Sequence, residues 1–470
     1  MYSMSYFAWD SFKDKYLLTN DLGRFVLLSP EAFEHFRTGS LETDREEYLR
    51  LEENGFLYEG STEDYAKKWK DHYTSMKACL LTSTQLFILA LTTACNQHCV
   101  YCQAGEVNRF ISMSKDICQK AIDVAAESPT SMVTIEFQGG EPTLNPEVLR
   151  FAVPYAKQVF AKKGKQVNFA IVTNLTSPDS ALLDWLIAEG VGISTSLDGN
   201  RVVHNFNRPL KNGDSSFDRW EVGLELCRSL YADHNLECEV GAIQTTTRKS
   251  LAYPHEIVAA YIDHGYHNLY IRPLTPLGCA AEDWKWVGYT PTEYLCFYTA
   301  ILDDLFERCK FGDLVTETTA SIYLRRILLH DSVGHTEYRS PCGAAVGQMA
   351  VNFDGQIYTC DEGRMLANMG DHTFRLGSVE NTYEELVTSQ AAHATCTASC
   401  IETLPLCSGC VFYPFCSVCP VVTYSIEKDL VSHEIDNYHC AISKGILQYL
   451  FGRIINADED EMEILYKWAK

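Results

Sequence analysis

The chain has no excess of basic charge. Lys and Arg total 39 against 62 Asp and Glu in 470 residues, a formal net charge of −23. Such a protein repels nucleic acid and anionic bilayer surfaces. A polyanion is therefore excluded as the expected partner, and neutral or basic partners are left. No apolar run approaches the length that spans a bilayer, so no membrane association is expected. Residues Met1 to Tyr16 mix aromatics with Asp10, Lys13 and Asp14. They lack the basic stretch and apolar core of an export signal, and the expected compartment is the cytoplasm. Internal repeats and low-complexity segments are also lacking. Cysteine, by contrast, is abundant, with nineteen residues. In a reducing compartment disulfides are disfavoured, and grouped cysteines are expected to be metal or cluster ligands.

The pattern along the chain divides it. Residues 1–82 carry an expected hairpin, Lys15–Leu18 and Phe25–Leu28 around Asn20-Asp-Leu-Gly23. Ser29-Pro30-Glu31 has the form of a helix start, and a second helix is expected from Arg45 to Glu53. A hairpin with short helices suits a small winged-helix-like module that docks a peptide; a packing extension is the alternative. Residues 83–310 alternate apolar strands with helices. Strands are expected at Leu86–Leu91, Val133–Phe137, Val167–Thr173, Gly192–Ser196, Glu239–Gln244 and Asn268–Arg272, with helices such as Lys115–Glu127 and Pro146–Lys162. Strand–helix alternation implies parallel strands and right-handed crossovers. The fold class is thus α/β, and six units predict a partial (β/α)6 barrel with its chemistry at the C-terminal strand ends. Residues 311–334 read as a linker helix. Residues 335–445 are rich in Cys, Gly and Pro, a composition held by metal rather than by a large core. Residues 446–470 read as a C-terminal helix and an acidic tail, with an amphipathic segment expected at Ala441–Gly452 and the acidic run Asp458–Glu461 as a solvated face.

The first expected barrel strand ends in Leu91-Thr-Thr-Ala-Cys95-Asn-Gln-His-Cys99-Val-Tyr-Cys102. Three thiolates in one loop can each bind one iron of a [4Fe–4S] cube. The fourth iron then lacks a protein ligand and can chelate an amino and a carboxylate group, as S-adenosylmethionine (SAM) offers. Electron transfer into the sulfonium would release a 5′-deoxyadenosyl radical; the protein would supply geometry and exclude solvent. Zinc is the alternative, but it asks for a fourth Cys or His nearby, and His98 stands between the ligands.

With Cys95, Cys99 and Cys102 as cluster ligands, the chain resembles the radical SAM superfamily, and further motifs match in order. Gly139-Gly140-Glu141-Pro142 at the second strand end resembles the GGEP motif. Thr173-Asn174 at the third resembles the TN pair. Ser196-Leu-Asp198-Gly199 at the fourth resembles the S-x-DG motif, with Arg208 beyond it. The resemblance implies that Glu141 accepts from the SAM ammonium. It implies that Ser196 and Arg208 contact carboxylate and ribose, and that Tyr101 contacts adenine. It places Gly139, Gly140, Asn174, Asp198 and Leu269 in the same pocket. The plain alternatives are an ordinary turn at Asp198-Gly199 and a surface ion pair at Arg208.

Further on, Cys342 and Cys360 bracket Gly355, and Cys407-x2-Cys410-x5-Cys416-x2-Cys419 precedes Cys440. This resembles the SPASM domain, with two auxiliary [4Fe–4S] clusters. The resemblance implies that Cys407, Cys410, Cys416 and Cys440 bind one cluster, and Cys342, Cys360 and Cys419 the other. The second set has no obvious fourth cysteine; its fourth site is open, or filled by Cys396 or Cys400. Structural zinc is the alternative. Asp361 follows Cys360, where sulfatase-maturing relatives carry a proton-accepting Asp, so Asp361 is a candidate general base; a turn carboxylate is the plain reading. Cys79, Cys118, Cys227, Cys238, Cys279, Cys296 and Cys309 are scattered and read as small apolar fillers.

Along its length the chain resembles the His-Xaa-Ser system radical SAM maturase, B type. The resemblance rests on Tyr16–Phe25, Ile271–Pro276 and Met365–Gly377. It implies hydrogen abstraction from a ribosomally made precursor peptide and a cross-link or related modification. It also implies an electron donor such as flavodoxin or ferredoxin, with a paired maturase as a further candidate partner. An anaerobic sulfatase-maturing enzyme is the second reading, and a non-catalytic iron–sulfur carrier or zinc-stabilised binding protein the third.

Overall fold

Six parallel strands hydrogen-bond in sequence order and build the centre of the molecule. They are β1 (Leu86–Ala90), β2 (Met132–Gln138), β3 (Gln166–Val172), β4 (Val191–Ser196), β5 (Gly241–Thr245) and β6 (Ile271–Arg272). The structure, a computed structural model, describes residues 2–42, 46–104, 110–238, 240–331 and 334–470. β1 is a nearly continuous buried run, as a parallel strand covered on both faces requires. The helices Lys115–Glu127 and Pro146–Lys162 have the expected limits. The first starts on Ser114, whose hydroxyl accepts from the Ile117 N–H. Phe87, Leu89, Ile135, Phe137 and Ile171 belong to the main apolar core. The arrangement is the expected partial parallel barrel.

Two features depart from the sequence reading. The barrel edge at β1 continues into the cysteine-rich segment. β7 (Gln348–Val351) pairs with β1 in parallel, and β8 (Gln356–Tyr358) and β9 (Arg375–Ser378) follow antiparallel. One nine-stranded sheet thus crosses the boundary expected at 335. The sixth expected strand, Asn268–Arg272, is split. Asn268–Leu269 pairs with Thr316–Glu317, inside the expected linker, and only Ile271–Arg272 pairs with β5. Glu317 accepts from the Ile271 N–H and joins the halves. Of the expected strand at 239–244, Glu239 lies outside the described residues.

In the N-terminal segment Lys15–Thr19 and Phe25–Leu28 form the expected hairpin, and Ala8–Phe12 adds a third strand. Ser29 caps the helix Pro30–Thr38 through the Ala32 N–H. The second helix is Glu46–Glu53; Arg45 lies outside the described residues. The helix Thr62–Met76 was not expected. The hairpin is anchored on the C-terminal part of the chain: Thr19 donates to the Val411 carbonyl of the cysteine-rich segment at 2.7 Å, and Phe25 meets Phe451, beyond that segment, edge to face. The C-terminal helix runs over Tyr438–Asn456, and a further helix, Glu459–Ala469, follows. The acidic run starts that helix. Asp458 caps it by accepting from the Glu461 N–H, and three carboxylates sit in its first turn against the positive dipole end. Among the described residues no helix is long and apolar enough to cross a membrane.

Candidate active site

Cys95, Cys99 and Cys102 lie in the loop after β1 and line a cavity of about 680 Å³ at the C-terminal strand ends, within the size range of ligand pockets. The loop is held by its own backbone. The Gln97 N–H donates to Cys95 Sγ at 3.4 Å, and the His98 and Val100 N–H groups donate to the Pro209 and Asn207 carbonyls. Burial pushes the Cys95 thiol up to about 11 and raises Cys99 further. Metal binding at such thiols therefore displaces protons.

The two glycines after β2 let that strand end close on the cysteine loop. A Cβ on Gly139 would stand 2.5 Å from the Thr92 carbonyl oxygen, and one on Gly140 would run into that of Ala94. The Gly140 and Glu141 N–H groups donate to these same carbonyls, both at 2.7 Å. Gly139 and Gly140 line the cavity. The Glu141 carboxylate is not in that lining. It is buried, and its Oε1 accepts from Thr143 N–H, Thr143 hydroxyl and Thr173 hydroxyl, while Oε2 accepts from the Asn174 N–H. Glu141 thereby ties the β2 end to the β3 end. Asn174 lines the cavity and donates to Asn96 Oδ1 at 2.8 Å, with its Nδ2 3.7 Å from Cys95 Sγ.

At the β4 end Ser196 faces the cavity, as do Tyr101 and Arg208. Asp198 is fully buried behind them. It accepts from the Tyr101 hydroxyl at 2.8 Å and Asn207 Nδ2 at 3.0 Å, and Arg208 Nε is 3.1 Å away. The Arg208 N–H is not aligned on that oxygen, so the pair is ionic rather than a good hydrogen bond. His204 is buried against Trp220, and burial lowers its pKa to about 3. Leu269 is not in the pocket. The break in the sixth strand leaves it fully buried in the core, and the alternation along 269–272 turns Tyr270 and Arg272 to the cavity instead.

The cavity also contains residues that motif reading missed. Glu136, Tyr270, Arg272, Glu337 and Glu362 line it together with the expected Asp361. Arg272 Nη2 lies 3.2 Å from Glu337 and 3.7 Å from Glu362. Arg364 donates to Asp361 Oδ1 at 2.7 Å. Burial, then the Glu337 charge, pushes the Glu362 carboxyl up to about 7. Period-two alternation in Asn268–Arg272 was the available signal for Tyr270 and Arg272. Glu337 sits in an irregular segment and had none.

The C-terminal thiols gather in two sets. Cys342, Cys360 and Cys419 meet in one apolar cluster with Leu366 and Val421, each within reach of another's charge. Cys407, Cys410, Cys416 and Cys440 form the second set in the same sense. Cys396 and Cys400 instead neighbour each other, Arg339, Glu402 and Lys77. No disulfide joins any of the nineteen cysteines. Among the described residues no three His, Cys, Asp or Glu converge on one ion position; the thiolates of a cube each bind a separate iron.

Residues 89–236, which hold the three cysteines and the ends of β2, β3 and β4, match the model of the Radical SAM superfamily. The chain is 23% identical over 383 residues to the cysteine-type anaerobic sulfatase-maturating enzyme of Clostridium perfringens, covering 79% of this chain and 97% of that protein. It is 23% identical over 274 residues to the serine-type enzyme of Klebsiella pneumoniae, covering 57% and 66%. Among solved structures it is similar to native anSMEcpe with bound AdoMet, at a TM-score of 0.66 and 22% identity over 79% of this chain and 98% of that one. It is also similar to Streptococcus suis SuiB bound to precursor peptide SuiA, at 0.54 and 12% over 94% and 100%. These likenesses establish a shared fold.

Proposed function

We propose that the chain is a radical SAM enzyme that modifies a ribosomally made peptide. One observation carries the reading: the cysteine loop and Asp361 line one and the same cavity, large enough for a cofactor and a side chain. When bound, the cluster and SAM supply a radical that abstracts hydrogen from carbon. The chain's own residues do the rest. Cys95, Cys99 and Cys102 would hold the cluster. Asn174, Ser196, Tyr101 and Arg208 would orient SAM, with Asp198 fixing the last two from behind and Glu141 fixing Asn174. Asp361, with Oδ1 held by Arg364, would take a substrate proton at Oδ2. The two C-terminal thiol sets would hold auxiliary [4Fe–4S] clusters, the N-terminal segment would dock the peptide, and a flavodoxin or ferredoxin would supply electrons. SuiB holds precursor peptide SuiA, and native anSMEcpe holds AdoMet together with the Kp18Cys peptide. Peptide binding by these two proteins of similar fold supports a peptide substrate here.

Formylglycine formation on a sulfatase is the second reading, favoured by similarity along nearly the whole of the clostridial maturating enzyme. Anaerobic reconstitution separates the two. Incubation with a peptide encoded beside the gene should change its mass, whereas a sulfatase-motif peptide should stay unchanged. The reverse outcome selects the second reading.

A further inference from the structure

We infer that the Gln97 side-chain amide donates a hydrogen bond from Nε2 to Cys99 Sγ once that sulfur binds iron, and so raises the reduction potential of the first cluster. The inference rests on the cluster reading of Cys95, Cys99 and Cys102 and is independent of the peptide.

Gln97 stands between Cys95 and Cys99 in the loop, and it lines the cavity with them. Its backbone is fixed. Gln97 bridges to Leu210, and the next N–H, of His98, donates to the Pro209 carbonyl at 2.8 Å. The residue is only 5% exposed. Among the described residues its buried Nε2 has no hydrogen-bond partner. An unsatisfied buried donor costs free energy, so the folded chain holds a donor in want of an acceptor at the cluster loop. Oε1 of the same amide lies 3.5 Å from Cys99 Sγ and accepts from its thiol. That contact needs the thiol proton. Cysteine binds iron as the thiolate, and the proton leaves to solvent. The carbonyl oxygen then faces a sulfur that only accepts. Half a turn of the amide exchanges oxygen and nitrogen within nearly the same volume. It puts Nε2 where Oε1 stood, within reach of the sulfur, and removes the opposition of two acceptors. Oε1 takes the buried place instead, where an unpaired carbonyl oxygen is tolerated more readily than an unpaired N–H. Cys95 already has donors of this kind, the Gln97 N–H at 3.4 Å and Asn174 Nδ2 at 3.7 Å. Hydrogen bonds to the sulfurs help set the potential of such a cluster, and they favour the reduced form, which carries one more electron. Gln97 is thus a positioning residue that eases uptake of the electron from the external donor.

The test uses the full chain, reconstituted anaerobically, with its glutamine amide nitrogens isotope-labelled. Pulsed electron paramagnetic resonance of the dithionite-reduced wild type, without SAM, should show coupling to a labelled nitrogen. The coupling should vanish in Gln97→Met, which keeps the volume and loses the donor. It should also vanish when Cys95→Ala, Cys99→Ala and Cys102→Ala are combined. Redox titration then follows the signal that the triple variant lacks. The potential should be highest in wild type, lower in Gln97→Met and lowest in Gln97→Glu. Each step should require a severalfold higher ratio of reduced to oxidised mediator for half reduction, with iron per chain unchanged in Gln97→Met. Absence of the coupling from the iron-loaded wild type would overturn the inference, and that measurement decides alone if Gln97→Met loads no iron. A Gln97→Met potential equal to that of wild type would overturn it too; weaker SAM binding at that unchanged potential would assign the amide to SAM instead. A triple variant that keeps all the wild-type iron contradicts the first cluster itself and takes the inference with it.

Discussion

Arg208 lies over the face of Tyr101, its guanidinium carbon 5.3 Å from the ring centroid, and both side chains reach the buried Asp198 carboxylate. Asp198→Asn leaves Arg208 without its counter-charge in a buried site, which should cost about 3–5 kcal/mol. Tyr101→Phe removes one of several donors and should cost about 1–2 kcal/mol. Denaturant titration should rank the two variants in that order. Anaerobic calorimetry should show weaker SAM binding in both. Equal and near-wild-type stability would deny Asp198 its supporting role.

Gly140 is required by the approach of β2 to the cysteine loop, since a Cβ there collides with the Ala94 carbonyl. Gly140→Ala should therefore lower iron incorporation at the first cluster severalfold. Gly452→Ala, in the C-terminal helix with no atom near its absent Cβ, should leave iron content unchanged and gain up to about 1 kcal/mol of stability. Iron assays and thermal melts of both variants check the contrast.

Much of this site was legible because strand periodicity and short-range spacing are local. The strand ends at Gly139, Asn174 and Ser196, and the cysteine loop, follow from apolar runs that stop at turn residues. Non-local arrangements left no such trace. Nothing near Gln348–Val351 signals that it pairs with β1, which lies on the far side of the whole barrel sequence. Leu269 was misplaced because the strand breaks at Tyr270 to pair with Thr316–Glu317, a partner no pattern announces. Asp198 was read as a pocket residue, whereas its tertiary partners draw it behind the wall.

His204 sets a pH dependence. Its folded-state pKa is depressed from 6.5 to about 3 by burial, so the unfolded chain takes up the proton first. The stability it contributes is present above pH 6.5 and lost as pH falls toward 3. Between pH 7.5 and 5 the loss should be about 2 kcal/mol. Urea unfolding at the two pH values checks this, and His204→Gln should flatten that part of the slope.

Cys407 and Cys410 sit away from the SAM motifs, in the segment against which the N-terminal hairpin packs. Cys407→Ala with Cys410→Ala should retain some 5′-deoxyadenosine formation yet lose modified peptide, read by chromatography and mass spectrometry of one reaction. Normal product from this variant would remove the auxiliary set from the reaction.

If the loop of Cys95, Cys99 and Cys102 supports radical chemistry on a peptide, hydrogen must pass from peptide carbon to SAM-derived 5′-deoxyadenosine. Anaerobic incubation of the reconstituted full chain with SAM, dithionite and the neighbouring encoded peptide, deuterated on carbon, measures that transfer. The expected product is 5′-deoxyadenosine bearing deuterium from the peptide, with none formed after Cys95→Ala, Cys99→Ala and Cys102→Ala. Absence of 5′-deoxyadenosine from the iron-loaded wild-type chain, or its undiminished formation in the triple variant, would rule this chemistry out.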